Sequence, residues 1–262
     1  MSFKKSLLLG VTLGVSSLVP AGAVTISLDG FMSYQPTSAF DAATFDASAS
    51  DKLVVVVTGE HNFGGNTSGD ISGITYDGTP LVQAVNRQPI DSSNITAADI
   101  WYLDNPGSFH VSGVLDATVV GNGNNYVYTV IALSGTAPGV GATAVSAANS
   151  KSVSLNALGS DSFVVASHGM GGDGNTANVL SVGADAPASQ IAALEAGNNW
   201  AGHVVSFTNG VAPGAATYSF TGGSAGGNVT IAAEFQAIPE PSSLAFLGIG
   251  ALALLRRRRQ DR

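Results

Sequence analysis

The chain has 262 residues, a formal net charge of −8 and no cysteine, so it is long enough for a substantial core but forms no disulfides or thiolate metal sites. Between Asp29 and Glu234 it carries 16 acidic and three basic residues, a balance of −13 (3 − 16). Because binding to polyanions needs clustered Lys and Arg, this acidic balance excludes nucleic-acid binding.

The first 23 residues follow the three-part pattern of a secretory signal peptide. Lys4 and Lys5 form a short basic region, residues 7–19 form an apolar stretch, and Ala21 and Ala23 complete an A-x-A cleavage pattern. A first core helix explains this order of segments less well. The pattern predicts that residues 1–23 are a signal peptide, that signal peptidase cuts after Ala23, and that the remainder is exported.

Residues 24–237 predict a single all-β domain. Apolar residues recur with a period of two, in about twelve runs of strand length separated by Gly, Asn, Asp and Pro. KLVVVVT (52–58) and YVYTVIAL (126–133) are apolar on both faces, as central strands are, whereas NVTIAAEF (228–235) alternates. Only ASQIAALEAG (188–197) favours a helical turn. The patterns favour one β-sandwich, jelly-roll or lectin-like, over two domains.

Several short motifs of the body occur together in one known type of domain. They are ISGITYDGTPLVQA, ADIWYLDNPGSFHVSGVL and YTVIALSGT, followed by SDSFVVASHG and TYSFTGGSAGGNVTIAAEFQA. In these motifs the chain resembles a domain that recurs in bacterial surface and phage-associated proteins. The resemblance implies a lectin-type jelly roll and brings no catalytic motif with it.

The histidines do not predict a catalytic or metal site, since none has a partner at metal-ligand spacing. They are His61, His110, His168 and His203. His203 shares strand parity with Val205, which predicts a histidine that faces the sheet. Ser167 and His168 are adjacent in ASHGMGGDGN (166–175), which we interpret as a flexible loop after a strand because no nucleophile elbow surrounds them.

Acidic residues and tryptophans leave two further hypotheses open. Glycosidases need two facing carboxylates, and Glu60, Glu195 and Glu234 are the only glutamates of the body. GNGNN (121–125) and GGDGN (171–175) are expected to be plain turns, although their oxygens suit Ca²⁺; no other metal or cofactor is expected. Trp101 lies mid-strand and is expected in the core. Trp200 lies in a loop-like context, which makes it the candidate sugar contact.

The C-terminal segment IPEPSSLAFLGIGALALLRRRRQDR predicts a processed membrane anchor. Residues 244–255 are apolar or Gly but fall short of the ~20 residues of a comfortable transmembrane helix. Four arginines follow and would hold the far end in the cytoplasm; they are Arg256, Arg257, Arg258 and Arg259. Pro239 and Pro241, on either side of Glu240, keep the segment in front of the apolar run extended.

This segment closely resembles the PEP-CTERM sorting signal, also known as the ice-binding protein C-terminal domain. The resemblance implies that residues 238–262 are the sorting signal and that an exosortase, a membrane transpeptidase-like enzyme, processes it in a bacterium that makes exopolysaccharide. The expected protein is therefore a non-enzymatic one that enters the inner membrane transiently and reaches the cell surface or extracellular matrix, where it associates with exopolysaccharide in biofilm. The alternatives are a carbohydrate-binding module and, third, a glycoside hydrolase.

Overall fold

The computed structural model describes residues 25–34, 43–60, 70–87, 96–108, 113–120, 125–147, 149–171, 181–182, 189–195, 201–221 and 227–239. The first part of these residues contains β1 (Ser27–Tyr34), β2 (Ala43–Phe45), β3 (Lys52–Glu60), β4 (Asp70–Tyr76), β5 (Thr79–Pro80), β6 (Val82–Arg87), β7 (Thr96–Asp104), β8 (Gly113–Val120) and β9 (Asn125–Ser134), with one 3₁₀ turn at Pro106–Ser108. The second part contains β10 (Thr143–Val145), β11 (Ser152–Ala157), β12 (Ser162–Gly171), β13 (Ser181–Val182), β14 (Ser189–Glu195), β15 (Ala201–Val211), β16 (Gly214–Thr221) and β17 (Asn228–Phe235).

Within the described ranges these strands form four antiparallel sheets. Outer sheet 1 has the order β2-β8-β4-β5, and inner sheet 1 has the order β1-β9-β3-β7-β6. Inner sheet 2 has the order β10-β17-β12-β15-β14, and outer sheet 2 has the order β11-β16-β13. A two-sheet arrangement is therefore too simple for this body.

Three hydrophobic cores stack the four sheets as layers. The first core joins outer sheet 1 to inner sheet 1, with Tyr76 packed among residues such as Val55. The central core joins the two inner sheets and contains Val56 of β3 and Phe163 of β12. The third core joins inner sheet 2 to outer sheet 2 and contains Tyr218. The central strands of both inner sheets are consequently buried on both faces.

This layering explains why the central strands are apolar throughout. Val54, Val55, Val56 and Val57 of β3 are all at most 1% exposed, because alternate residues enter the central core and the first core. An outer strand such as β11 shows the other pattern, since its residues alternate strictly between exposed and buried.

The two parts of the chain repeat one strand order. The first part contains β1 to β9, and its first, last and third strands lie side by side in inner sheet 1, in the order β1-β9-β3. The second part contains β10 to β17, and its first, last and third strands lie side by side in inner sheet 2, in the order β10-β17-β12. The outer sheets correspond in the same way, β2-β8-β4 matching β11-β16-β13. β3 and β12 pack closely, because a Cβ on Gly169 would overlap the side chain of Thr58.

The all-β prediction is confirmed, but three finer expectations are wrong. The described residues hold seventeen strands instead of about twelve. The segment predicted as a helical turn, 188–197, contains strand β14, whose pairing with β15 overrides its helical propensity. Ser167 and His168 lie inside β12 rather than in a loop, and both are fully buried. Among the described residues, no helix has the length and hydropathy that a membrane crossing requires.

Candidate functional site

The described chain ends at a junction that fastens the last strand of the body to an earlier loop. After β17, the carbonyl oxygen of Gln236 accepts a hydrogen bond from Ala137 N at 2.8 Å. Ala237 pairs antiparallel with Thr136, and Ile238 N donates to Gly135 O at 3.0 Å. We call residues 135–137 with residues 236–238 the junction clamp.

Burial changes abruptly along this clamp. Ala237 is buried and belongs to the central core, next to the residues that close β17. Ile238 is 40% exposed, and Pro239 is exposed. The body therefore ends within one residue of the predicted Pro-Glu-Pro triplet. Pro239 is the only member of that triplet among the described residues.

The loop side of the clamp is anchored by charged groups. Gly135 N donates to Asp51 Oδ2 at 2.6 Å, and Gly139 N donates to Asp104 Oδ2 at 2.9 Å. Lys52 Nζ donates to Gly139 O at 2.7 Å and forms an ion pair with Asp104 Oδ1. These contacts tie the connection between the two repeated parts to one end of inner sheet 1.

Lys52 is fully buried, which is unusual for a lysine. Its ammonium lies 4.9 Å from the ring centroid of Tyr102 and 5.5 Å from that of Phe235. Burial lowers the pKa of Lys52, although Asp104 and Asp51 favour its charged form. This buried lysine was not predicted from the sequence; the sign that could have revealed it is a lone lysine directly before the apolar run LVVVV.

Glu234 has a structural role that rules it out as a free catalytic acid. Its carboxylate accepts hydrogen bonds from four donors, at 2.7 to 3.0 Å: Ala142 N, Leu158 N, Gly159 N and Ser162 Oγ. Burial acts most strongly on its pKa and would raise it, but the hydrogen bonds together outweigh burial and lower the pKa. The ionised carboxylate thus closes the turn between β11 and β12.

The two described histidines are core residues in separate layers. His203 faces the central core, as predicted, with Nε2 3.0 Å from Thr129 Oγ1 of inner sheet 1. His168 points the other way and stacks on Phe220 of outer sheet 2, with 5.5 Å between ring centroids. Burial lowers the pKa of His203 to about 3. Burial is also the larger cause for His168, and together with the positive charge of Lys151 it lowers the pKa of His168 to about 4. Neither histidine is placed for solvent-facing chemistry.

Of the remaining residues singled out from the sequence, Trp101 lies within the described ranges and several others lie outside them. Trp101 is 6% exposed in the first core, as predicted. No group of three His, Asp or Glu residues in the described ranges could hold a metal ion. The predicted residues outside the described ranges are Ala21, Ala23, Trp200, Glu240, Pro241, Arg256, Arg257, Arg258 and Arg259, together with the turns 121–124 and 172–175.

One family model matches the chain, and it covers the end of the body and the tail. The model describes the PEP-CTERM protein-sorting motif and matches residues 237–259. No curated protein and no solved structure matches the chain. The match starts at buried Ala237, so motif and body overlap in the junction clamp. The chain carries a PEP-CTERM protein-sorting motif, which implies an exported protein that an exosortase processes.

Proposed function

We propose that this chain is a non-enzymatic protein of the cell surface or extracellular matrix, released from its membrane anchor by an exosortase and associated with exopolysaccharide in biofilm. The observation that carries the proposal is the sorting motif at residues 237–259, which begins at the last buried residue of a layered β-body. The buried histidines and the fully bonded Glu234 support a structural role for the polar groups of the core.

Mass spectrometry of the mature protein from its native host tests this proposal. We expect a chain that begins at Val24, because signal peptidase cuts after Ala23, and that lacks residues 256–262, because the exosortase removes the anchor. Surface-exposed protein that still carries its arginine tail would contradict the proposal and indicate a permanent tail anchor instead.

A carbohydrate-binding module is the second candidate, and the strand order supports it. In each repeated part, the first, last and third strands are neighbours in the inner sheet, and the second strand begins the outer sheet that faces it. This arrangement suits a double-sheet jelly roll. β5 and β6 continue one another across Leu81 while pairing in different sheets, as a strand at a jelly-roll corner does. Lectin domains commonly use this architecture, so we propose that each part is one jelly roll.

Replacing the two tryptophans distinguishes the module from a purely structural protein. Trp101→Ala should cost ~3–5 kcal/mol of unfolding free energy, because it removes a large buried ring. Trp200→Ala should cost under about 1 kcal/mol yet weaken retention on native exopolysaccharide, if Trp200 stacks on sugar. Denaturant melts and a polysaccharide pull-down measure both effects. Unchanged retention of the Trp200→Ala protein would remove the support for a sugar site at this residue.

A further inference from the structure

The beginning of the sorting motif is part of the folded body. The motif starts at Ala237, whose side chain is buried in the central core. Hydrogen bonds hold the residue on each side of it, since Gln236 O accepts from Ala137 N and Ile238 N donates to Gly135 O. No spacer therefore separates the body from Pro239.

The other half of the clamp is not a loose loop. Gly135 N donates a hydrogen bond to the Asp51 carboxylate. Gly139, two residues beyond the clamp, donates to Asp104 and accepts from Lys52. Lys52 is itself buried against the ring of Phe235, the last residue of β17. The two segments of the clamp are consequently tied to the same end of the inner sheets, and releasing one means breaking backbone hydrogen bonds.

We propose that the junction clamp controls the access of the sorting enzyme to its motif. In the natural sequence residues 236–238 directly precede Pro239, so they must leave the clamp to free the chain next to the Pro-Glu-Pro triplet before the motif is processed. The inference rests on the proposed exosortase processing. Proteins that recognise an extended peptide commonly hold it by main-chain hydrogen bonds. The backbone groups of residues 236 and 238 are already bonded within the body, so the competent state is the opened one. The observed rate is then reduced by the fraction of molecules in which the clamp is open.

A spacer separates the clamp from the motif and tests the proposal. Six Gly and Ser residues inserted between Ile238 and Pro239 supply flexible, unbonded chain next to Pro239 while the clamp stays closed. We expect the full precursor, pulse-labelled in its native host, to lose residues 256–262 about tenfold faster than the natural sequence, a change equivalent to ~1.4 kcal/mol. The matched control carries the same insertion between Ala212 and Pro213, in an exposed turn, and should be processed at the natural rate.

The outcomes separate the clamp from the proposed function. Equal or slower processing of the spacer variant would overturn the role of the clamp and leave exosortase processing intact. Failure of all three proteins to lose the tail would overturn the proposed function itself. Amide hydrogen exchange of the purified precursor gives a readout without the enzyme: the amides of Ala137 and Ile238 should be protected. Exchange at the rate of an unstructured peptide at both positions would also overturn the clamp.

Discussion

Lys52 and Asp104 show how this body accommodates a buried charge. The two residues are direct cross-strand partners in β3 and β7, and their side chains are 0% and 29% exposed. Removing the carboxylate leaves the buried ammonium with only the weaker attraction of Asp51, so Asp104→Ala should lower the unfolding free energy by about 3 kcal/mol. Lys52→Met removes the charge and keeps the volume, and it should cost less. Urea unfolding of both variants measures the difference; a larger loss for Lys52→Met would contradict this account.

The buried histidines predict a loss of stability in mild acid. A histidine in the unfolded chain has a pKa near 6.5, whereas the pKa values of folded His168 and His203 are about 4 and about 3. Between these values the unfolded state holds more protons, so the free energy of unfolding falls as the pH drops, by up to ~1.4 kcal/mol per pH unit for each histidine. Urea melts at pH 6.5, 5.8 and 5.0 measure this slope.

His203→Gln provides the control for this pH effect. The variant should show a shallower slope between pH 6.5 and 5.0, because one of the two titrating groups is gone. Carboxylates contribute little in this window, since their usual pKa values lie near 4. A natural protein whose stability is flat over the window would contradict the burial of neutral histidines.

The sequence predicted burial correctly at residues whose neighbours along the same strand show which face is apolar. Trp101 and His203 could be placed because residues two positions away report the face of a strand. Lys52 and Glu234 could not, because their partners lie far along the chain: Lys52 bonds to Gly139, and Glu234 bonds to Leu158. Ser167 and His168 were misplaced because the glycines that follow resemble a loop, although β12 continues to Gly171.

At the scale of elements, strand β3 offers a test of the layered arrangement. Val55 belongs to the first core and Val56 to the central core, and both are fully buried. Val55→Thr and Val56→Thr each place an unpaired hydroxyl in an apolar layer, so each should cost about 1–3 kcal/mol. Ser154→Thr, on exposed β11, is the control and should change stability by less than about 0.5 kcal/mol. A neutral effect at either valine would show that one face of β3 lacks a covering sheet.

Strand β14 shows where local propensity is a poor guide. Its sequence SQIAALE favours a helix by composition, yet its residues pair with β15 from Ser189↔Phe207 to Glu195↔Gly202. The β15 edge of inner sheet 2 supplies backbone partners that a helix in this place would leave unpaired. The type of this element was therefore set by the neighbouring strand, which no local window of sequence contains.

At the scale of the whole body, the central core should make the two repeated parts unfold together. Each inner sheet depends on the other to cover one of its faces, since the central core contains buried residues of both, such as Val56 and Phe163. In a Trp200→Phe background, the fluorescence of Trp101 reports on the first part, while far-ultraviolet circular dichroism reports on all strands. The two transitions in urea should coincide. Separate midpoints would show that each part is stable without the shared core.

The repeat itself was not visible in the sequence. The all-β class could be predicted because alternation and turn residues are local signals, but the repeat lies in the order of strands within sheets. Equivalent strands differ in length and residues, as β1 with SLDGFMSY and β10 with TAV show. The long apolar run of β3 could indicate only that both of its faces are buried, without indicating what covers them.

The position of β17 in the sheet has a consequence for the order of folding. β17 is the last strand of the body, yet it lies between β10 and β12 and pairs with both of them. Inner sheet 2 cannot close until residues 228–235 have emerged from the export machinery, and the sorting motif at residues 237–259 follows them directly. Completion of the fold and arrival of the sorting motif at the membrane should therefore be nearly simultaneous events in the life of each molecule.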